Sequence, residues 1–104
     1  MTKDNIRCPV TATMAVIGGK WKPIILWILR DQVRRFGEIK HFIPGITQKM
    51  LTQQLRELEK DKIINRKVYP VVPPKVEYAL TEYGKTLMPI LDAMAGWGGK
   101  HKNL

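Results

Sequence analysis

The sequence contains a single cysteine, Cys8, among its 104 residues. One cysteine cannot form a disulfide within the chain, so the fold must depend on packing, and any disulfide must join two chains. Long hydrophobic runs are also missing: the longest apolar stretch, 24–29, is far shorter than the roughly 20 residues of a membrane span. The sequence also does not open with a signal segment in which basic residues precede apolar ones, so we expect a cytoplasmic protein that makes no membrane contact.

Motifs of catalysis and of metal binding are missing as well. The sequence has no Gly-rich phosphate loop, no nucleophile elbow and no pair of acids in a catalytic pattern, so we expect no enzymatic activity. His41, His101 and Cys8 are too few and too scattered for a metal site, which normally takes paired Cys or His ligands. We therefore expect neither a metal nor a cofactor.

Acidic residues are few, nine against 18 Lys and Arg, and the net charge is +9. Such a charge indicates a polyanionic partner or an anionic membrane surface. Cations outnumber acids eight to three over residues 1–40 and seven to three over 47–76, but the two are equal over 77–104. This asymmetry favours a basic binding face and a separate apolar partner face, although a merely solvated basic surface has the same composition.

The length allows one domain, 1–104, with one modest core. Proline, glycine and the spacing of apolar residues predict a first helix over 9–17 and a second over 23–30. The second is apolar on every side, which predicts a position in the core. A basic turn at Arg34 and Arg35 then leads into a short third helix, 36–42, which Pro44 and Gly45 end.

The segment 47–61 predicts a fourth, strongly amphipathic helix. Thr47 is a good N-cap, and three leucines follow on one narrow face: Leu51, Leu55 and Leu58. Opposite that stripe or on its flank lie Gln48, Lys49, Thr52, Gln53, Arg56 and Lys60. Amides, a hydroxyl and cations together suit base edges and phosphates, and the alternative is a solvated helix face. Glu57 and Asp61 lie on the other flank, where we expect them to point away from phosphate.

A β-hairpin and a last helix are predicted after this segment. Residues 63–72 and 75–80 have strand-like patterns around a turn at Pro73 and Pro74. The hairpin carries three cations, which we expect either to touch phosphate or the minor groove or to solubilise a strand edge: Arg66, Lys67 and Lys75. Thr81 caps the last helix, which has a broad apolar surface and which Pro89 should kink.

This order predicts a mainly α protein with a small β-hairpin, the winged helix-turn-helix fold. The helix-turn-helix covers about 36–61, the wing about 63–80 and the C-terminal helix about 81–99. Three tryptophans lie in or beside apolar runs and are assigned to core or dimer packing rather than to an effector pocket or base stacking: Trp21, Trp27 and Trp97.

Several blocks of the sequence together resemble the HxlR family of MarR-like winged-helix transcription regulators. They are 8–10 (CPV), 18–21 (GGKW), 35–38 (RFGE), 46–52 (ITQKMLT), 55–59 (LRELE) and 78–81 (YALT). The resemblance covers nearly the whole chain. It implies that the helix from Thr47 is the recognition helix, that the turn 71–76 is the wing, and that the first and last helices form a homodimer interface.

Cys8 occupies the position at which some members of this family respond to oxidants or electrophiles. Independently, a helix start and the neighbouring Arg7 both favour the thiolate. The alternative is a small apolar residue buried in a dimer interface. Whether Cys8 is a redox sensor therefore stays open from the sequence.

The leading hypothesis is a homodimeric, sequence-specific DNA-binding transcription regulator, expected to act as a repressor on a palindromic operator in double-stranded DNA. Its effector is unknown. Two alternatives are a winged-helix module that binds another protein, and a sequence-indifferent protein of the nucleoid or of RNA. A preference for one promoter over unrelated DNA distinguishes the leading hypothesis from both alternatives.

Overall fold

The computed structural model describes residues 8–103, so Arg7 lies outside the described residues. Six helices and three short strands follow one another along them. In chain order they are α1 (Pro9–Ile17), α2 (Lys22–Leu29), β1 (Arg34–Arg35), α3 (Phe36–Phe42), α4 (Gln48–Lys60), β2 (Ile64–Tyr69), β3 (Lys75–Leu80), α5 (Glu82–Lys85) and α6 (Met88–Lys102).

The helix-turn-helix consists of α3, a short turn and α4. Gly45 lies in the turn with φ of 90°, a left-handed conformation that suits glycine because it has no Cβ. Thr47 then caps α4: its hydroxyl oxygen accepts a hydrogen bond of 3.1 Å from the backbone N–H of Met50. The predicted cap and the predicted helix are both confirmed.

The core lies between α4, α2 and the sheet. Leu51, Leu55 and Leu58 are almost completely buried, which confirms the apolar stripe of α4. On α2, one face is buried through Ile25, Leu26 and Leu29. The expectation that all of α2 lies in the core holds only for this face: Trp27 and Ile28 are half-buried and Ile24 is 40% exposed, because residues 8–103 cover the opposite face only in part.

The sheet has three antiparallel strands in the order β1-β3-β2, one more than the hairpin predicted from sequence. Arg34 and Arg35 were predicted as a turn, but they pair with Tyr78 and Glu77 of β3. The two-residue strand was missed because its partner lies more than 40 residues away and two arginines carry no strand-like alternation. Beside it, Arg35 donates its backbone N–H to Glu38 at 2.8 Å, which starts α3.

The C-terminal segment forms two helices rather than one kinked helix. Thr81 caps α5 by accepting from the N–H of Gly84 at 2.8 Å, and the same hydroxyl donates to the carbonyl oxygen of Lys62 at 2.7 Å. The chain then breaks, and Pro89 lies in the first turn of α6. Proline has no N–H and clashes with the carbonyl four residues earlier, so it begins a helix more easily than it continues one.

Within residues 8–103, no single helix is long and apolar enough to cross a membrane, whereas α1 and α2 taken together, bent by 73°, have the length and composition of one broken span.

Candidate nucleic-acid interface

The outer face of α4 presents a row of uncovered polar side chains. Gln48, Lys49, Gln53 and Arg56 are exposed and Thr52 is half-buried. Since the leucine stripe on the other side of α4 is in the core, the orientation of this row is fixed by packing rather than by its own contacts. The structure therefore brings all five predicted α4 residues onto one accessible surface.

A groove of about 480 Å³ separates this row from the hairpin. Its lining is mixed: Phe36, Leu55 and Val76 contribute apolar surface, and Glu59 contributes an acid. Arg56 of α4 and Arg66 of β2 both line it, so two cations from different elements border the same depression. The two arginines outweigh the single acid Glu59, so the groove between α4 and the hairpin is suited to an anion such as a phosphate.

The three cations of the hairpin lie on two different faces. Arg66 pairs with Tyr78, so its side chain shares the sheet face that borders α4. Lys67 and Lys75 belong to the alternate positions and share the opposite face with Tyr69 and Glu77. Only Arg66 of the three is therefore continuous with the row on α4.

Lys67 and Lys75 lie in a small polar cluster around Glu77. The Tyr69 hydroxyl donates to Glu77 Oε1 at 2.8 Å, and Lys75 Nζ lies 3.3 Å from Glu77 Oε2. The hydrogen bond from Tyr69 and the neighbouring Lys75 hold the pKa of Glu77 below its ordinary value. Both lysines also sit over the Tyr69 ring, at 4.9 and 4.7 Å from its centre. Part of the positive charge of Lys75 is thus already balanced within the chain.

Glu57 connects α4 to α2. Lys22 Nζ lies 2.5 Å from Glu57 Oε1, although Lys22 is only 8% exposed, and Gln53 Nε2 donates to Glu57 Oε2 at 3.3 Å. The hydrogen bonds from Lys22 and then Gln53 hold the pKa of Glu57 below its ordinary value. Sequence reasoning missed Lys22. The available signal was its position as the one charge at the head of the apolar run 23–29.

Cys8 is the N-cap residue of α1 and is exposed. The backbone N–H and the hydroxyl of Thr11, together with the N–H of Val10, hold the pKa of the Cys8 thiol below its ordinary value. The sulfur is therefore both reachable by solvent and biased toward the thiolate, the form that reacts with oxidants.

Two helices at the ends of the described chain expose apolar side chains. Val10 and Met14 of α1 are 68% and 52% exposed. On α6, Leu91 is the buried residue, whereas Met94 and Trp97 are 47% and 68% exposed. Trp97 stacks on His101 with 4.8 Å between ring centres, while Trp21 and Trp27 pack against the core. Among residues 8–103, no group of three His, Cys, Asp or Glu side chains could hold a metal ion.

Comparison with known proteins agrees with this geometry. The sequence model of the HxlR-like helix-turn-helix family matches residues 16–104. The HTH-type transcriptional regulator YdeP of Bacillus subtilis (strain 168), itself uncharacterized, is 56% identical over 96 residues, which is 92% of this chain and 75% of the relative.

Two solved structures of regulators superpose closely on the chain. The redox regulator HypR in its oxidized form gives a TM-score of 0.87 at 56% identity, covering 89% of this chain and 96% of that one. The reduced form of the transcriptional regulator YodB from B. subtilis gives 0.77 at 39% identity, covering 89% and 92%. With a winged helix-turn-helix fold and these relatives, the chain belongs to the HxlR-like helix-turn-helix family of transcriptional regulators.

Proposed function

We propose that this regulator binds a palindromic operator as a homodimer, with α4 of each protomer in the major groove. The observation that carries the proposal is the uncovered row on α4, which lies opposite a buried leucine stripe and borders the same groove as Arg66. An α-helix fits the major groove, where arginine pairs with guanine and glutamine with adenine. We therefore assign base contacts to this row, formed by Gln48, Lys49, Thr52, Gln53 and Arg56.

The dimer in this proposal uses the exposed apolar faces of α1 and α6. Large apolar side chains at 47–68% exposure in adjacent positions are costly to leave in water, and a second copy of the chain would cover them. A two-fold axis between protomers makes the operator palindromic, and helix-turn-helix dimers bind half-sites about 34–36 Å apart, one turn of DNA. The regulator acts on promoter DNA in the cytoplasm, as a repressor and without catalytic activity.

Footprinting tests this proposal after recovery of the genomic fragments that the protein binds. We expect one family of fragments sharing a palindrome, and a symmetric footprint with two protected major grooves about one helical turn apart. Fragments without a common sequence would instead indicate a sequence-indifferent nucleic-acid-binding protein. Failure to retain any DNA would indicate a module for protein interaction.

Salt dependence tests the contribution of the wing, where we assign phosphate contacts to Arg66, Lys67 and Lys75. Replacement of Arg66 by alanine should flatten the slope of log affinity against log salt by about one unit per protomer, because one phosphate contact is lost. Lys75→Ala should change the slope less, since Glu77 already balances part of its charge. An unchanged slope in Arg66→Ala would remove this residue from the interface.

We further propose that Cys8 makes DNA binding sensitive to oxidants; the structurally similar HypR is a redox regulator. Diamide removes two electrons and two protons from two thiols, and with one cysteine per chain the second sulfur must come from another protomer or a small thiol. Wild type should release its operator after diamide treatment, whereas Cys8→Ser should keep it. Identical behaviour of the two proteins would contradict the proposal.

The pKa of Cys8 gives an independent check of its reactivity. Because Thr11 and Val10 lower this pKa, the rate of alkylation should reach its plateau at a lower pH in the folded protein than in the unfolded chain. Alkylation rates measured across pH with and without denaturant provide the comparison. Superimposable profiles would show that the folded environment does not activate the thiol.

A further inference from the structure

We propose that Lys22 and Glu57 orient the side-chain amide of Gln53 so that it selects adenine over guanine in the operator. Lys22 and Glu57 are positioning residues in this proposal, and Gln53 is the residue that touches the base. The inference rests on the proposed function, because it requires α4 to lie in the major groove.

The orientation of Gln53 follows from the chemistry of its partner. Glu57 lies one helical turn after Gln53 on α4, and its Oε2 lies 3.3 Å from Gln53 Nε2. An ionised carboxylate only accepts hydrogen bonds, so the amide must turn its NH₂ group toward Glu57 and its carbonyl oxygen elsewhere. Without Glu57, the amide would be free to rotate and present either end to DNA.

The position of Glu57 is fixed by a residue outside α4. Lys22 belongs to the first turn of α2, is 8% exposed, and places Nζ 2.5 Å from Glu57 Oε1. A pair formed by two exposed residues of one helix would be mobile and weak, but this pair is anchored in the core through α2. The charge of Lys22 also keeps Glu57 ionised, as its lowered pKa indicates.

The groups that remain free on Gln53 match one base better than the others. One N–H is taken by Glu57, which leaves the carbonyl oxygen as an acceptor and one N–H as a donor. In the major groove, adenine offers a donor at N6 beside an acceptor at N7, the complement of this pair. Guanine offers two acceptors, N7 and O6, so the carbonyl oxygen would face an acceptor and be repelled.

A purely stabilising contact between α2 and α4 would also explain the Lys22–Glu57 pair. The two roles have different consequences. Loss of a purely stabilising contact lowers the unfolding temperature without changing which base the protein prefers. Loss of an orienting group changes the ratio of affinities for adenine and guanine at one position, and removal of Gln53 itself must erase the effect.

The test is the affinity of each variant for the operator and for operators with every single base-pair substitution. Glu57→Gln keeps the size of the side chain but can accept or donate, so it no longer dictates the orientation of Gln53. Lys22→Met removes the anchor. Removal of one acidic group raises affinity for all DNA alike, so the readout is the ratio of affinities between bases. Glu82→Gln is the matched control, because it breaks the exposed Glu82–Lys85 pair, 2.8 Å long, on α5.

Wild type should prefer adenine over guanine at one position of each half-site by about 10-fold, within the range of a good bidentate contact. Gln53→Ala should abolish this preference, Glu57→Gln and Lys22→Met should reduce it to about 2-fold or less, and Glu82→Gln should preserve it. The double variant Gln53→Ala/Glu57→Gln should lose no more than Gln53→Ala alone, since Glu57 acts through Gln53.

Two results would overturn the inference and are distinguishable. If Glu57→Gln keeps the full preference while Gln53→Ala loses it, the base contact of the proposed function stands and the orienting role is wrong. If no operator position depends on Gln53, the base contact fails as well, and the inference falls with it. Should Lys22→Met not fold, Glu57→Gln, at a half-buried position, decides the outcome alone.

Discussion

Replacement of Trp97 by lysine is expected to convert the proposed homodimer into monomers and to lower operator affinity by at least about 100-fold. Trp97 is 68% exposed on the apolar face of α6, where a second protomer would bury it. A buried ammonium without a partner costs several kcal/mol, which the interface cannot absorb. Because two linked half-site contacts gain two to four decades in avidity, the separated protomers bind far more weakly.

Lysine is chosen because it adds positive charge, so any loss of affinity for DNA cannot come from repulsion. Val33→Lys is the matched control: Val33 is 47% exposed, as Met94 is, but it belongs to the loop before β1 and not to α1 or α6. In Trp97→Lys and Met94→Lys, the molar mass by light scattering and the operator affinity should both fall. Neither quantity should change in Val33→Lys. A Trp97→Lys protein that remains a dimer would exclude α6 as the interface.

The variants Gln53→Ala and Arg56→Ala are expected to weaken operator binding by about 1–3 kcal/mol per half-site, roughly 5- to 150-fold. Both side chains are exposed on the outer face of α4, so their removal leaves the core intact. Affinity for unrelated DNA should fall only slightly in Gln53→Ala, which carries no charge, and more in Arg56→Ala, which also loses phosphate attraction.

Lys85→Ala provides the control for loss of a surface cation, since Lys85 lies on α5 and its charge is paired with Glu82. It should leave operator affinity almost unchanged. Equal operator affinities in wild type, Gln53→Ala and Arg56→Ala would contradict the assignment of α4 as the recognition helix. Thermal unfolding of all four proteins, expected to be similar, checks that the comparison is between folded states.

The helix-turn-helix could be predicted from the sequence because its signals are local. Thr47 caps α4 with its own hydroxyl, Gly45 supplies the positive φ of the turn, and three leucines at helical spacing define the buried face. These features depend on a few consecutive residues. The five predicted residues of the α4 row follow directly from that stripe, since the opposite side of an amphipathic helix must face outward.

The features that could not be predicted from the sequence depend on contacts between distant segments. Arg34 and Arg35 become a strand only because β3 lies beside them, and Lys22 meets Glu57 across 35 residues of sequence. Sequence spacing also could not group the wing cations correctly. Side chains alternate between the two faces of a strand, so Arg66 and its neighbour Lys67 must lie on opposite faces of the sheet. The face of Lys75 depends instead on the register between β2 and β3, and the sequence of the long turn that joins these strands does not determine that register.

The most direct test of the central claim is a titration of the protein with its footprinted operator and with an unrelated duplex of equal length, at one physiological salt concentration. Wild type should prefer the operator by at least about 1,000-fold. Gln53→Ala/Arg56→Ala should lose most of this preference while the affinity for unrelated DNA persists. Equal affinity of wild type for the two duplexes would contradict sequence-specific recognition by α4.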